Sequence, residues 1–404
     1  MRCLVLADTF PNRVEPWRGP YHRYQFGELA RLCRLEVIAP VRWPRLIRNR
    51  KLRRLCGETD TSLPGVLMRH PVLWYVPVLG RAFNWHGVLR AARRSLSGAL
   101  EDRPDLVVAT FAYPHGLAAR ELAAELGVPY VIKARGTDLH SLPSRGLRRR
   151  HTARALEGAA AIVPVSSSLK EIAIELGADP SRIHVLPNGI DSGRFPMIPR
   201  AAARRELDLP ATGKILAYVG ALRHVKGPDL LVDAIEILKH SRPDFLAVVA
   251  GTGPRHRAIK RRINRRGLQD RIRLAGRLSP EKVASLMNAA DALVLPSRNE
   301  GCPNAVLEAL SCGTPVIAAR VGAVPDLLDD TCGLQVEPDH SLKLARAIQA
   351  GLEKDWDRTA IRGRVEKRSW QKNAEQLHQI LLNVTEKLPE EAPQKRHAST
   401  IAPT

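Results

Sequence analysis

The sequence predicts an α/β protein made of two doubly wound parallel sheets facing a central cleft. Three observations carry that expectation. Short apolar runs alternate with amphipathic stretches along the chain, the pattern of βαβ units. The alternation breaks once, at a proline-bearing stretch over 197–212, and then resumes, which gives two such sheets. The length of 404 residues suits two or three domains with ample core. In open parallel sheets ligands sit beyond the carboxyl ends of the strands, so the chemistry is sought in the loops that follow the apolar runs.

In the first half, strands are expected over 3–7, 35–39, 106–109, 129–133, 161–165 and 183–186, with helices over 24–33, 116–126 and 167–176. Runs this apolar mark strands covered on both faces. In the second half, strands are expected over 214–220, 245–250, 271–275, 292–295, 314–318 and 334–336. A helix is expected from Pro228 to about residue 240, and a last amphipathic helix over 369–387. The domain plan is a first domain at 1–196, a linker at 197–212 and a second domain at 213–368. The helix 369–387 is free to cross back to the first domain, and the polar, proline-rich tail 388–404 is expected to be disordered.

Composition excludes several classes. No apolar run approaches the roughly 20 residues of a membrane span. The apolar start is too short for a signal peptide and reads as a first strand, so the expected compartment is the cytoplasm. Cysteines at 3, 33, 56, 302, 312 and 332 show no CxxC or metal spacing, which leaves reduced thiols as the expectation. The net charge of +22 points to a polyanionic partner or surface. The plain alternative is charge that only solubilises. Aromatic residues make up only 4%, too few for a base-stacking nucleic-acid binder, so no nucleic-acid partner is expected.

Seven of the thirteen residues at 42–54 are Arg or Lys, interleaved with Trp43, Leu46, Ile47 and Leu52. That composition suits the surface of an anionic membrane. Apolar stretches at 72–79 and 83–85 follow, and Arg145, Arg148, Arg149, Arg150 and Arg154 add a second basic cluster. A solvated basic loop beside a core hairpin has the same composition, and a nucleic-acid patch is a third reading.

The strand-end loops hold the polar candidates. Gly19, after the first strand, permits close approach of backbone to a ligand, or simply a turn. His115 precedes a helix, where it orients a substrate group or serves a structural role. Arg135 and Asp138 stand at the next strand end, with Asp138 equally suited to a helix N-cap. In the second half, Gly220-Ala-Leu-Arg-His-Val-Lys-Gly227 places Arg223 and Lys226 among glycines between a strand and a helix, an anion cradle without the order of a Walker loop. The centre is 297–316. Glu300 sits in a Gly/Pro loop, a helix starts near Pro303 with Asn304 and Ala305 in its first turn, Glu308 lies within it and Gly313 ends it. A helix start suits a diphosphate and a carboxylate suits sugar hydroxyls, the alternative being two solvated glutamates.

Gly220–Gly227, Ala250-Gly-Thr-Gly-Pro254, Ala290-Asp-Ala-Leu-Val-Leu-Pro-Ser297, Glu300-Gly-Cys-Pro303 and Glu308-Ala-Leu-Ser-Cys-Gly-Thr-Pro-Val316 occur in order, after Pro187-Asn-Gly-Ile-Asp191 and Phe195. The set resembles the family 4 retaining glycosyltransferases of the GT-B fold, over nearly all the chain to about 386 and most closely over 183–338. The resemblance implies a nucleotide-diphosphate sugar held mainly by the second domain. Glu308 matches the glutamate that accepts from the ribose hydroxyls, and Glu300 the one near the transferred sugar. Lys226, with Arg223, matches the cations that neutralise the leaving diphosphate. Family members often carry Arg directly after the cradle glycine, where Ala221 stands here. Leu278 with Arg277 resembles the base-binding loop, and Gly19 the glycine loop that closes on the phosphate. Gly253, Asn304 and Ala305 fall within the donor-binding motifs. His115 and Asp138 match loops that touch the donor sugar or the acceptor, with Arg135 beside them on the acceptor side.

The implied reaction is retaining hexosyl transfer from a UDP- or GDP-sugar. Charge that builds on the diphosphate would be offset by Lys226, Arg223, helix N-termini and the Gly19 loop, so neither cofactor nor metal is expected. The expected acceptor is a lipid-linked glycan or a growing envelope polysaccharide or exopolysaccharide at the inner membrane face. A non-catalytic nucleotide-sugar-binding partner subunit is the alternative, with Ala221 as its hint. A phosphorylase or an epimerase of the same fold is a further option.

Overall fold

The structure is a computed structural model and describes residues 1–75, 82–96, 103–140, 145–239 and 244–386. The strands of the first half are β1 (Arg2–Leu6), β2 (Arg34–Ile38), β3 (Val41–Arg42), β4 (Thr59–Asp60), β5 (Val66–Arg69), β6 (Val72–Leu73), β7 (Leu106–Ala109), β8 (Tyr130–Ala134) and β9 (Ala161–Pro164). Among the described residues they form a seven-stranded sheet in the order β4-β5-β2-β1-β7-β8-β9, parallel except where β4 runs antiparallel to β5. The strands of the second half are β10 (Lys214–Val219), β11 (Phe245–Ala250), β12 (Ile272–Gly276), β13 (Ala292–Leu295), β14 (Val316–Ala319) and β15 (Gly333–Val336). They form a six-stranded parallel sheet in the order β12-β11-β10-β13-β14-β15.

The pleat sorts each strand's residues into two cores. Leu4 and Leu6 pack on one face of the first sheet, while Cys3, Val5 and Ala7 pack on the other. Ile215 and Ala217 are separated from Leu216 and Tyr218 in the same way. Both sheets reverse their winding beside the first strand, between β1 and β7 and between β10 and β13. These are the topological switch points, where loops diverge and open a crevice.

Several features differ from the expectation: the helix expected over 24–33 runs Pro20–Leu29, and β5 and the helix Asn84–Leu96 form where no element was expected. Residues 183–186 do not form a strand. Ile183 makes a single bridge to Ile162, and the N–H groups of His184 and Leu186 reach the carbonyls of Ile162 and Pro164. Pro164 has no N–H to return, so the ladder stops there. The basic segment 42–54 folds as two short helices, Trp43–Arg48 and Arg50–Leu55, with Leu52 and Leu55 closing over Val41. Among the described residues the stretch 72–75 forms no hairpin: β6 pairs with β3 in parallel. The part of the apolar stretch at 76–79 lies outside the described residues, as do residue 240, residue 387 and the tail 388–404.

The linker helix stays with the second half, and the last helix crosses back to the first. The helix Arg200–Glu206 packs with the second half: Ala203 lies in its core, and Arg204 meets Asp291 at 3.0 Å. The helix Trp370–Glu386 lies against Pro20–Leu29, with Ala374, Leu377 and Leu381 in a core of the first sheet.

Candidate active site

The second sheet contributes the two loops at its switch point. After β10 comes the turn His224–Lys226, and after β13 the loop 296–303. Gly227 has φ +62°, and a Cβ there would meet the Pro296 carbonyl oxygen at 2.0 Å, so only glycine lets the loops touch. Arg298 clamps them. It donates to both Asp229 oxygens, at 3.0 and 2.8 Å, and to the His224 carbonyl at 2.7 Å. Burial works against the Asp229 carboxylate, yet the Arg298 fork holds its pKa below the usual range. The clamp brings Lys226 Nζ to 2.7 and 2.6 Å from the two Glu300 oxygens. Glu300 is buried, and Ser297 Oγ also donates to it at 2.7 Å. Immediately behind, the helix Asn304–Ser311 starts at Pro303 with no side-chain cap, so its first N–H groups face the cleft.

The first sheet contributes three loops. Gly19, at φ +57°, starts the helix Pro20–Leu29, and a Cβ there would strike the Thr9 carbonyl oxygen at 1.9 Å. His115 lies in the loop after β7. Its Nδ1 has no hydrogen-bond partner among the described residues, and burial pushes the imidazole pKa down to about 4. Nearby Asp8 pulls that value up and Arg42 pulls it down. Asp138 is a loop clamp: its carboxylate accepts from the backbone N–H groups of Ala112, Arg135 and Gly136 at 2.8, 3.1 and 2.9 Å. Arg135 stacks over Tyr21 at 4.6 Å and donates to Gln25 and Asn188.

The two sets of loops face each other across a cleft with two lobes that share Pro20, Asn304 and Glu308. One lobe, of about 730 Å³, is lined by Lys226, Glu300, His115, Asp138, Arg135 and Ala305 among others. The other, of about 710 Å³, is lined by Trp17, Tyr24, Arg194, Arg277 and Pro280 among others. The domains touch at Gly301, where a Cβ would meet the Arg135 carbonyl oxygen at 1.9 Å. Asn188 bridges them as well, donating to Asn304 Oδ1 at 2.8 Å. Glu308 is half-buried at the junction of the lobes. Burial raises its carboxyl to about 7, against the pull of Arg194.

The residues expected from the sequence divide into two groups. Lys226, Glu300, His115, Asp138, Arg135, Asn304, Ala305 and Glu308 line the cleft. Gly19, Arg223, Gly253 and Leu278 line neither lobe. Gly19 and Gly253 act through close packing, since a Cβ on Gly253 would meet the Leu222 carbonyl oxygen at 2.6 Å, and Leu278 packs against the core of the second sheet. Arg223 is exposed, while Ala221 is the cradle residue that lines the cleft. The added cations come from the first domain instead, as Arg42, Arg135 and Arg148. Sequence reasoning missed Ser297, Arg298, Asn188 and Trp17. Ser297 and Arg298 lie within the 297–316 stretch and Asn188 within the Pro187–Asp191 motif, whereas Trp17 lies in none of the motifs. The chain's one Asp-x-Asp spacing, Asp355-Trp356-Asp357, lies away from the cleft, and Asp357 caps the helix Arg358–Gly363.

Comparison with known proteins places these features in a family. The family described as "Glycosyl transferases group 1" matches residues 199–377, and "Glycosyltransferase Family 4" matches residues 23–194. The chain is 32% identical over 364 residues to TuaC of Bacillus subtilis, a glycosyltransferase named for teichuronic acid biosynthesis, spanning 86% of this chain and 88% of that one. It is 33% identical over 236 residues to a D-inositol 3-phosphate glycosyltransferase of Kineococcus radiotolerans, spanning 54% of each. Anabaena HepE in complex with UDP superposes with a TM-score of 0.72 at 19% identity, over 95% of this chain and 100% of that one. Sucrose-phosphate synthase of Thermosynechococcus elongatus superposes with a TM-score of 0.76 at 19% identity, over 95% and 99%. At those identities the structural likeness is one of fold.

Proposed function

The chain belongs to the family 4-type glycosyltransferases of the GT-B fold, and on that premise we propose that it moves a hexose, with retention, from a nucleotide-diphosphate sugar to an envelope glycan acceptor. The observation that carries this reading is the Lys226–Glu300 pair, set between a helix N-terminus and an opposing domain. In the proposed complex, the ribose hydroxyls donate to Glu308. The diphosphate rests on the free N–H groups at Asn304 and Ala305, and Lys226 turns from Glu300 to the phosphate oxygens. Glu300, still held by Ser297, then accepts from hydroxyls of the sugar.

Bond changes follow from that arrangement. The bond from the anomeric carbon to the phosphate oxygen breaks, and its electron pair stays on the diphosphate. The acceptor oxygen attacks the same face, and its proton passes to the departing phosphate oxygen. Lys226 and the helix dipole act where the charge develops, which is the larger part of such catalysis. His115, neutral at physiological pH because of its depressed pKa, hydrogen-bonds the sugar without competing as a cation. With these cations in place the reaction needs no divalent metal, and EDTA is expected to leave it unchanged.

For the acceptor, the similarity to TuaC supports an envelope polysaccharide. A surface of the first domain supports work at a membrane face. Trp43 stacks on Trp74, and Trp74, Ile47 and Phe83 are 62%, 62% and 53% exposed beside the basic helices at 43–55. No helix among the described residues is long and apolar enough to cross a membrane. The direct test of the reaction is release of nucleoside diphosphate from a panel of UDP- and GDP-sugars by purified protein. Turnover with one of them supports the proposal, and a protein that binds a donor yet never releases diphosphate with any acceptor overturns it. Flotation with anionic vesicles at low salt tests the surface, where recovery of the protein only in the unbound fraction would remove the membrane from the account.

A further inference from the structure

The second lobe contains a residue that none of the motifs predicted. Trp17 is 60% exposed and lies on the first-domain side of that lobe, facing Arg277 and Pro280 of the second domain. Its loop is built to hold it there. Asn12 Oδ1 accepts from the N–H groups of Val14 and Glu15, Arg18 N–H closes on the Glu15 carbonyl at 3.1 Å, and Pro16 and Pro20 stiffen the flanks. The Arg277 guanidinium stands over the indole at 5.9 Å from the ring centre. A single exposed tryptophan is unremarkable on its own. Here, however, it shares its lobe with Glu308.

The lobes read as one line: Trp17 and Arg277 at one end, Glu308 and Asn304 in the middle, Lys226 and Glu300 at the other end. A nucleotide sugar has the same order of parts: base, ribose, then diphosphate and sugar. We propose that Trp17 is the first-domain wall of the base pocket, stacking on the nucleobase in the position that the Arg277 guanidinium occupies over the ring. This rests on the nucleotide-sugar reading and extends it, because it gives the first domain a hold on the base. Stacking accepts any base, so Trp17 supplies affinity and couples domain closure to the presence of a nucleotide, while the choice of base falls to the second-domain edge at Arg277.

The test compares wild type, Trp17→Ala and Trp17→Phe by calorimetric titration with UDP, GDP and inorganic pyrophosphate. Loss of one stacked base predicts a roughly tenfold to hundredfold weaker nucleoside diphosphate affinity in Trp17→Ala. Trp17→Phe is expected to recover most of it, and pyrophosphate affinity is expected to be equal in all three, because it has no base. The exposed position leaves the melting temperature unchanged. If wild type binds UDP or GDP and Trp17→Ala binds it as tightly, the Trp17 proposal is overturned alone. Equal weakening of pyrophosphate also overturns it, since the loss would then belong to the phosphate site. If wild type binds neither nucleoside diphosphate, the nucleotide-sugar reading fails and this proposal falls with it.

Discussion

Glu308 and Glu300 show how differently two carboxylates can be held within one motif. Glu300 has Lys226 and Ser297 as partners, whereas Glu308 is held by its surroundings alone, which raise its pKa to about 7. A carboxyl raised in the folded state binds its proton more tightly there than in the unfolded chain. Its contribution to stability is therefore most favourable below the ordinary carboxyl value of 4.5, falls as pH rises from there to about 7, and is level above. Glu308→Gln removes that dependence. Thermal melts are expected to show the variant more stable than wild type at pH 8 and equal to it near pH 4.5, even as donor affinity is lost. A pH-independent difference would contradict the burial account. The two glutamates and Lys226 were legible in the sequence because each lies in a short motif. Ser297 and Arg298 were not read as site residues, since the Arg298 clamp joins positions 69 apart in the chain. Arg223 misled because charge can be read from a sequence but the direction of a side chain cannot.

At the level of elements, the site depends on two loops held as one. Arg298→Ala removes the fork on Asp229 and leaves that carboxylate without its main partner. Lys226 and Glu300 keep their identities but lose their mutual position. The expected result is a fall of about tenfold or more in kcat with a smaller change in donor KM, because binding tolerates misplacement better than the transition state does. Lys in place of Arg is expected not to restore it, for want of a planar fork. Equal kcat in Arg298→Ala would show that the loops hold their register without the clamp. The strands themselves were legible, because parallel strands buried on both faces are continuous apolar runs. The error at 183–186 arose where Pro164 on the neighbouring strand ends the ladder. The helices at 43–55 were hidden because their apolar residues close only a local core around Val41.

At the scale of the whole molecule, the cleft exists because two domains approach backbone to backbone. Gly301 meets the Arg135 carbonyl, where a Cβ would come within 1.9 Å. Gly301→Ala is expected to keep both domains folded but hold them apart, so small-angle scattering should give a larger radius of gyration and transfer should fall sharply. An unchanged radius with full activity would show that this contact does not govern closure. Two facing sheets were legible from the repeat of the pattern, but which loops meet across the cleft is a property of packing and was not.

The central claim is that Lys226 offsets the charge on the departing diphosphate while Glu300 holds the sugar in place, and that transfer depends on both. It is tested most directly by the rate of nucleoside diphosphate release in Lys226→Ala and Glu300→Ala, each checked by its melting curve. Loss of one such charged contact predicts a rate roughly a hundredfold or more below wild type, with the fold intact. A folded variant of either residue that turns over at the wild-type rate would contradict the account.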